Sequence, residues 1–180
     1  MNKAFLVSFF LLAMILLTVC GCSNLSSEPQ VGEMVDSWVT ENSAFRIRIN
    51  KHTEKNGGFV AGAYFIFQSA SKEKEDWKEI MTIRHDDPIA IPRQQVRFLN
   101  EQTGYVFMGL KFATTMDEGK TWFVWYTIDN LPDWRLTRAI ISDVQIESNG
   151  VGSMKLRSFT NQAAPSLNTE DFGKTWRIVR

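Results

Sequence analysis

An eight-residue stretch that occurs twice limits the fold more than any other feature of this 180-residue chain. Thr115-Met116-Asp117-Glu118-Gly119-Lys120-Thr121-Trp122 recurs 54 residues downstream as Thr169-Glu170-Asp171-Phe172-Gly173-Lys174-Thr175-Trp176, with Thr, Asp, Gly, Lys, Thr and Trp kept in place. The likeness extends upstream. Val96, Phe98, Gly104, Val106 and Met108 correspond, at a constant offset of 48, to Val144, Ile146, Gly152, Met154 and Leu156, so the later copy carries six extra residues around Asn161 to Pro165. A repeat of this length is one supersecondary unit that must bury its apolar face against a neighbour. A degenerate earlier unit also fits, because Gly58-Phe59 precedes Trp77 by 19 residues, against 18 from Gly104-Tyr105 to Trp122. Where its Asp and Gly would stand, the charged run Ser71 to Asp76 reads as a solvated hairpin tip.

The units are made of strands. Short runs rich in Phe, Ile, Val, Tyr and Trp alternate with Gly, Asn, Asp and Lys clusters, which is an all-β rhythm. Phe45, Ile47 and Ile49 share one face of a strand, and Phe59 to Phe67 is apolar enough to be buried on both faces. No segment shows a sustained helical period.

The two octapeptides resemble the Asp-box, or BNR repeat, Ser/Thr-x-Asp-x-Gly-x-Thr-Trp, and both match every specified position. The resemblance implies a connection between two strands in which the Asp carboxylate accepts backbone N–H bonds across the turn. Gly supplies a positive φ, and Trp packs beneath. It thereby assigns structural roles to Thr115, Asp117, Gly119, Thr121 and Trp122, and to Thr169, Asp171, Gly173, Thr175 and Trp176. Asp-box units usually form propeller blades of about four strands, and closed propellers have about four to eight blades. Residues 37–180 hold three units, at 37–83, 94–127 and 142–180. The expected fold is therefore all-β, an incomplete β-propeller or a propeller-like β-sandwich.

The N-terminus indicates the compartment. After Lys3, the stretch Ala4 to Leu17 contains one polar side chain, Ser8, and no charge, which is a secretory h-region. It is shorter than the roughly 20 apolar residues of a spanning helix. Val19-Cys20-Gly21-Cys22 then resembles a bacterial lipobox, in which a small residue precedes the cysteine that is lipidated. Gly21 before Cys22 fits better than Val19 before Cys20, so Cys22 is the expected lipid carrier and residues 1–21 the lipoprotein signal peptide. Ser23 is similar to an outer-membrane sorting signal, facing the periplasm in an organism that has an outer membrane. Residues 22–36, with Ser26, Ser27, Pro29 and Gly32, read as a tether. No cysteine follows Cys22, so the remaining domain of about 160 residues must be stable through its core alone.

Catalytic and ligand chemistry is thin. Twenty Lys plus Arg balance twenty Asp plus Glu, which disfavours a nucleic-acid partner. A sialidase resemblance would require Arg-Ile-Pro, an arginine triad and a Tyr–Glu pair on a ring roughly twice this size, and Ile91-Pro92-Arg93 only scrambles the first. His52 and His85 lie in different segments, and His85-Asp86-Asp87-Pro88 reads as a polar turn. No Gly-x-Ser-x-Gly elbow or phosphate loop occurs, so the expectation is no catalytic residue, no metal and no cofactor. Trp125, in the strand Trp122 to Tyr126, and Trp134, in a loop, are the candidate partner contacts, with core packing and a loop staple as their competing roles. The expected function is non-catalytic binding of an envelope protein, with the membrane reached through the lipid only. Its specific form is an immunity protein against a lipase toxin, because the layout resembles periplasmic immunity lipoproteins that neutralise type VI secretion lipase effectors. A glycan-binding module or envelope assembly factor is the alternative, and a sialidase-like hydrolase ranks last.

Overall fold

The computed structural model describes residues 30–55, 62–131, 139–158 and 164–179. Within them, the strands form three four-stranded antiparallel sheets, each a meander in chain order. Sheet 1 holds β1 (Gln30–Glu41), β2 (Phe45–Lys55), β3 (Ala63–Ser71) and β4 (Lys78–His85). Sheet 2 holds β5 (Val96–Phe98), β6 (Gly104–Met108), β7 (Lys111–Thr115) and β8 (Phe123–Tyr126), and a one-turn helix α1 (Thr127–Asn130) follows it. Sheet 3 holds β9 (Ile140–Ile146), β10 (Gly152–Arg157), β11 (Ser166–Thr169) and β12 (Arg177–Val179). No described helix is long and apolar enough to cross a membrane.

The period-2 alternation of strand side chains explains how the sheets stack. On β2, Phe45, Ile47 and Ile49 are fully buried, while Arg46, Arg48 and Asn50 between them are not. The buried set joins Phe65, Phe67, Met81 and Ile83 of sheet 1 in a core shared with Val106, Met108 and Ala113 of sheet 2. The alternate residues Tyr105, Phe107 and Phe112 face the other way, into a second core with Ile141, Val144, Met154 and Leu167 of sheet 3. Sheet 2 is thus apolar on both faces and lies between the others. Full burial of one such side chain is worth about 1.5–3 kcal/mol, and Phe45, Phe65, Phe67 and Phe112 are among the largest so buried.

The stack ends where the side chains turn polar. At the repeat offsets, Tyr105, Phe107 and Phe112 become Ser153, Lys155 and Ser166, which with Gln145 and Asn168 make the outer face of sheet 3. The outer face of sheet 1 carries a hydrogen-bond network. Arg48 Nε and Nη2 donate to Gln68 Oε1, Asn50 Nδ2 donates to the same oxygen at 3.1 Å, and Ser37 Oγ donates to Asn50 Oδ1 at 2.8 Å. Polar terminal faces are what lets a repeat stack stop without another unit.

Strand bounds differ from the sequence reading by two residues at His85, where β4 ends, and at Ile140, where β9 starts, and by more in the first unit. Strand β1 begins at Gln30, inside the segment expected to be tether, because β2 runs to Lys55 and its backbone ladder pairs Gln30 with Lys55 and Val31 with Glu54. Backbone pairing needs no apolar pattern, so Gly32, Asp36 and Ser37 hid the strand. In the first unit, the second strand is Phe45–Lys55, ahead of Gly58-Phe59, which lie outside the described residues. Sheet 1 has strands of 12, 11, 9 and 8 residues, so the spacing of the shorter sheet 2 does not transfer to it. The insertion at 161–165 falls largely outside the described residues, as do Cys22 and Trp134.

Candidate functional site

The two octapeptides connect the third and fourth strands of sheets 2 and 3, and their geometry is nearly the same. Asp117 Oδ1 accepts from the Thr115 hydroxyl at 2.9 Å and the Thr121 N–H at 2.9 Å, while Oδ2 accepts from the Thr121 hydroxyl at 2.6 Å. Asp171 accepts from Thr169 at 2.8 Å, from the Thr175 N–H at 2.9 Å and from the Thr175 hydroxyl at 2.7 Å. The first threonine also accepts the glycine N–H, at 3.1 Å for Thr115 and Gly119 and at 2.9 Å for Thr169 and Gly173. Burial pushes both carboxyls upward. The hydrogen bonds from their threonines together outweigh it and hold Asp117 and Asp171 below the ordinary aspartate range.

Each turn is pinned to its own sheet and pressed onto the sheet before it. Glu118 and Phe172 take positive φ, 62° and 60°, and their N–H groups donate at 3.0 Å to Gln102 O and Gly150 O in the loop between the first two strands. A Cβ on Gly119 would stand 2.8 Å from Phe45 Cδ2 of sheet 1, and one on Gly173 would stand 2.6 Å from Phe112 of sheet 2. Trp122 meets Phe45 edge-on at 6.3 Å, and Trp176 meets Phe112 edge-on at 5.3 Å. Glycine is required there because an aromatic ring of the preceding sheet occupies the space a side chain would take. The indoles differ in one respect. Trp122 Nε1 donates to Ser69 Oγ at 2.9 Å and Gly119 O at 3.2 Å, whereas Trp176 Nε1 is buried with no partner among the described residues.

The third-to-fourth connection of sheet 1 carries no such octapeptide, and Arg46 holds it instead. Its Nη2 donates to Lys74 O at 3.2 Å and approaches Ser71 O at 3.4 Å, while its guanidinium lies 5.3 Å from the Trp77 ring centre. Arg48 stacks on the same ring at 4.2 Å. Trp77 therefore folds over the outer face of its own sheet, in contrast to Trp122 and Trp176. Contacts between guanidinium and indole of this kind contribute about 0.5–1 kcal/mol at exposed sites.

Trp125 is not a surface contact. It is 6% exposed, pairs with Phe112 across the β7–β8 ladder and packs 6.4 Å from Trp176 in the second core, while Phe123, two residues earlier on the same face, is 49% exposed beneath Lys174. At the expected polar turn, the Asp87 N–H donates to His85 Nδ1 at 3.0 Å, and His52 Nδ1 lies 3.2 Å from Gly32 O on another strand. Among the described residues, no group of three His, Cys, Asp or Glu side chains could hold a metal ion. A cleft of about 640 Å³ opens between sheets 2 and 3 beside Arg97, Tyr105, Asp143 and Glu147. Its Tyr105 hydroxyl already donates to Val144 O at 3.0 Å, and desolvation raises its pKa, so it serves as a bridge between sheets.

Sequence reasoning missed one ion pair. Glu54, fully buried on β2, accepts from Arg84 Nε at 2.7 Å and Nη2 at 3.1 Å, which closes one end of sheet 1. A charged residue near a strand end carries no signal of burial by itself. Comparison with protein families, with curated proteins and with solved structures finds no match to the chain.

Proposed function

We propose that the protein is an envelope lipoprotein, lipidated on Cys22, that binds a protein partner and turns over no substrate. On this reading its octapeptide turns are Asp-boxes, and the three sheets are a propeller-like stack that does not close. One observation carries the binding reading: the exposed apolar side chains concentrate on strand edges. Val31, Met34, Val35 and Val39 lie on β1, Phe123 and Val124 on β8, and Ile178 and Val179 on β12, each 46–58% exposed. An unpaired strand edge carrying apolar side chains is a template for another chain. The hydrogen bonding within each box supports an architectural role for Asp117 and Asp171.

The specific form of the proposal is an immunity protein that neutralises a lipase effector of type VI secretion. An anchored inhibitor needs only a complementary surface, and the anchor would hold it where such a toxin arrives. Capture with the detergent-solubilised protein from envelope extract should yield one stoichiometric protein partner. If that partner is a toxic lipase, added protein should inhibit it, and deletion of the gene should sensitise the cell. Cleavage of a glycoside or ester by the purified protein, abolished by changing a single side chain, would contradict the proposal.

A further inference from the structure

The sheet edges are unequal. Apart from β1, the edge strands are short or guarded: β5 and β12 have three residues, β8 has four, and β9 has seven with Asp143 and Gln145 on it. Strand β4 carries Lys78, Glu79 and Arg84, and its ladder slips between Phe67 and Gln68. Charged side chains, shortness and bulges are the usual devices that keep an edge from pairing. Acids and an irregular ladder mark β1 too, but it is long enough to leave six regular residues beyond the irregularity. Strand β1 is the longest of all, with 12 residues, and most of it is exposed. Its ladder to β2 is irregular at Met34 and then continuous from Asp36 to Glu41, a run of strand length. That run carries Val39, 47% exposed, Val35, 55% exposed, sits at the irregularity just before it, and no described strand pairs with the other edge of β1.

The charge on β1 has one sign. Gln30–Glu41 contains Glu33, Asp36 and Glu41 and no Lys or Arg. Lys72 engages Glu41 at 3.3 Å, Asp36 faces Lys51 across the ladder without forming an ion pair, and Glu33 has no ion-pair partner among the described residues. A second copy of β1 paired antiparallel about Met34 and Val35 would set Glu33 opposite Asp36, and like charges facing across a strand pair are unfavourable. A strand carrying lysine or arginine would place opposite charges there instead.

We infer that β1 is the partner edge, and that its occupant is a basic, extended segment of another protein that adds as a fifth strand to sheet 1. Main-chain hydrogen bonds to β1 hold the segment, and its apolar residues pack beside Val35 and Val39. Its lysines or arginines face Glu33 and Asp36. This inference rests on the protein-binding reading and names the surface and the partner's chemistry.

The probe is a synthetic ten-residue peptide alternating lysine with valine, offered to the detergent-solubilised protein and followed by hydrogen exchange and by affinity. Protection should rise over Gln30–Glu41, and the lysine peptide should bind at least tenfold tighter than its glutamate counterpart. A lysine peptide of equal charge with prolines in place of valines should not bind. The Glu33→Lys, Asp36→Lys double variant should reverse the preference. Protection elsewhere, equal binding of the proline peptide, or an unmoved preference in the double variant would overturn the inference. Photo-crosslinkers placed in cells at Val39 and at Lys155 separate it from the parent reading. An adduct at Val39 supports both, and an adduct at Lys155 alone overturns the edge while leaving protein binding intact. Adducts at neither position retire protein binding, and this inference with it.

Discussion

Two carboxylates and two glycines concentrate the conformational demands of the repeat. Removing the Asp117 or Asp171 side chain takes a charged, half-buried acceptor from threonine and backbone donors, which costs about 1–3 kcal/mol. Asp117→Ala and Asp171→Ala should each lower stability by that amount in urea titration. Because both carboxyls are held below the ordinary range, the folded state binds their protons less readily than the unfolded chain does. Their contribution is therefore present above the unfolded aspartate pKa of about 3.9 and is lost as pH falls through the lower folded value. The stability gap between wild type and either alanine variant should narrow from about pH 7 to about pH 3, and a gap that widens would contradict this assignment. Gly119→Ala combines a left-handed φ of 75° with a Cβ placed 2.8 Å from Phe45, so it should destabilise more than the backbone cost alone of about 1–2 kcal/mol.

At the level of elements, the turns act as fasteners between sheets. Phe112 is fully buried, receives Gly173 and Trp176 from sheet 3, and packs 5.8 Å from Tyr105 within sheet 2. Phe112→Ala should cost about 3–5 kcal/mol, with hydrogen exchange rising in β9 to β12 more than in sheet 1. Uniform acceleration across all three sheets would mean that sheet 3 does not depend on this contact. Much of this layer was legible in the sequence. The Gly104/Gly152 and Val106/Met154 correspondence placed equivalent residues at the same positions of β6 and β10, and the octapeptides join the third and fourth strands of sheets 2 and 3. What could not be read were contacts between units. Nothing in the alternation of Phe45 or Phe112 names the glycine that will cover it, because the pairing arises only when one sheet stacks on the next. Trp125 shows the same limit: it shares a strand face with Phe123, yet Trp125 is buried and Phe123 is 49% exposed, and alternation does not say how far along that face sheet 3 reaches. Strand β1 was hidden because its Gly, Asp and Ser residues look like linker, while the ladder that orders them comes from the long partner β2.

For the whole molecule, the sheets make a capped stack whose ends are polar and whose edges carry the exposed apolar side chains. The proposed attachment through Cys22 is a separate property from that architecture. Cys22→Ala should release the protein from membranes, and retention by that variant together with release by Cys20→Ala would move the lipid to the other cysteine. The central claim is that the repeated turns hold the stack while binding takes place elsewhere on it. Calorimetric titration of the captured partner into wild type, Asp117→Ala and Asp171→Ala, below the melting temperature of each, tests that claim most directly. Unchanged affinity and stoichiometry together with a lowered Tm is the result expected. Wild-type melting with abolished binding would make the turns themselves the contact site.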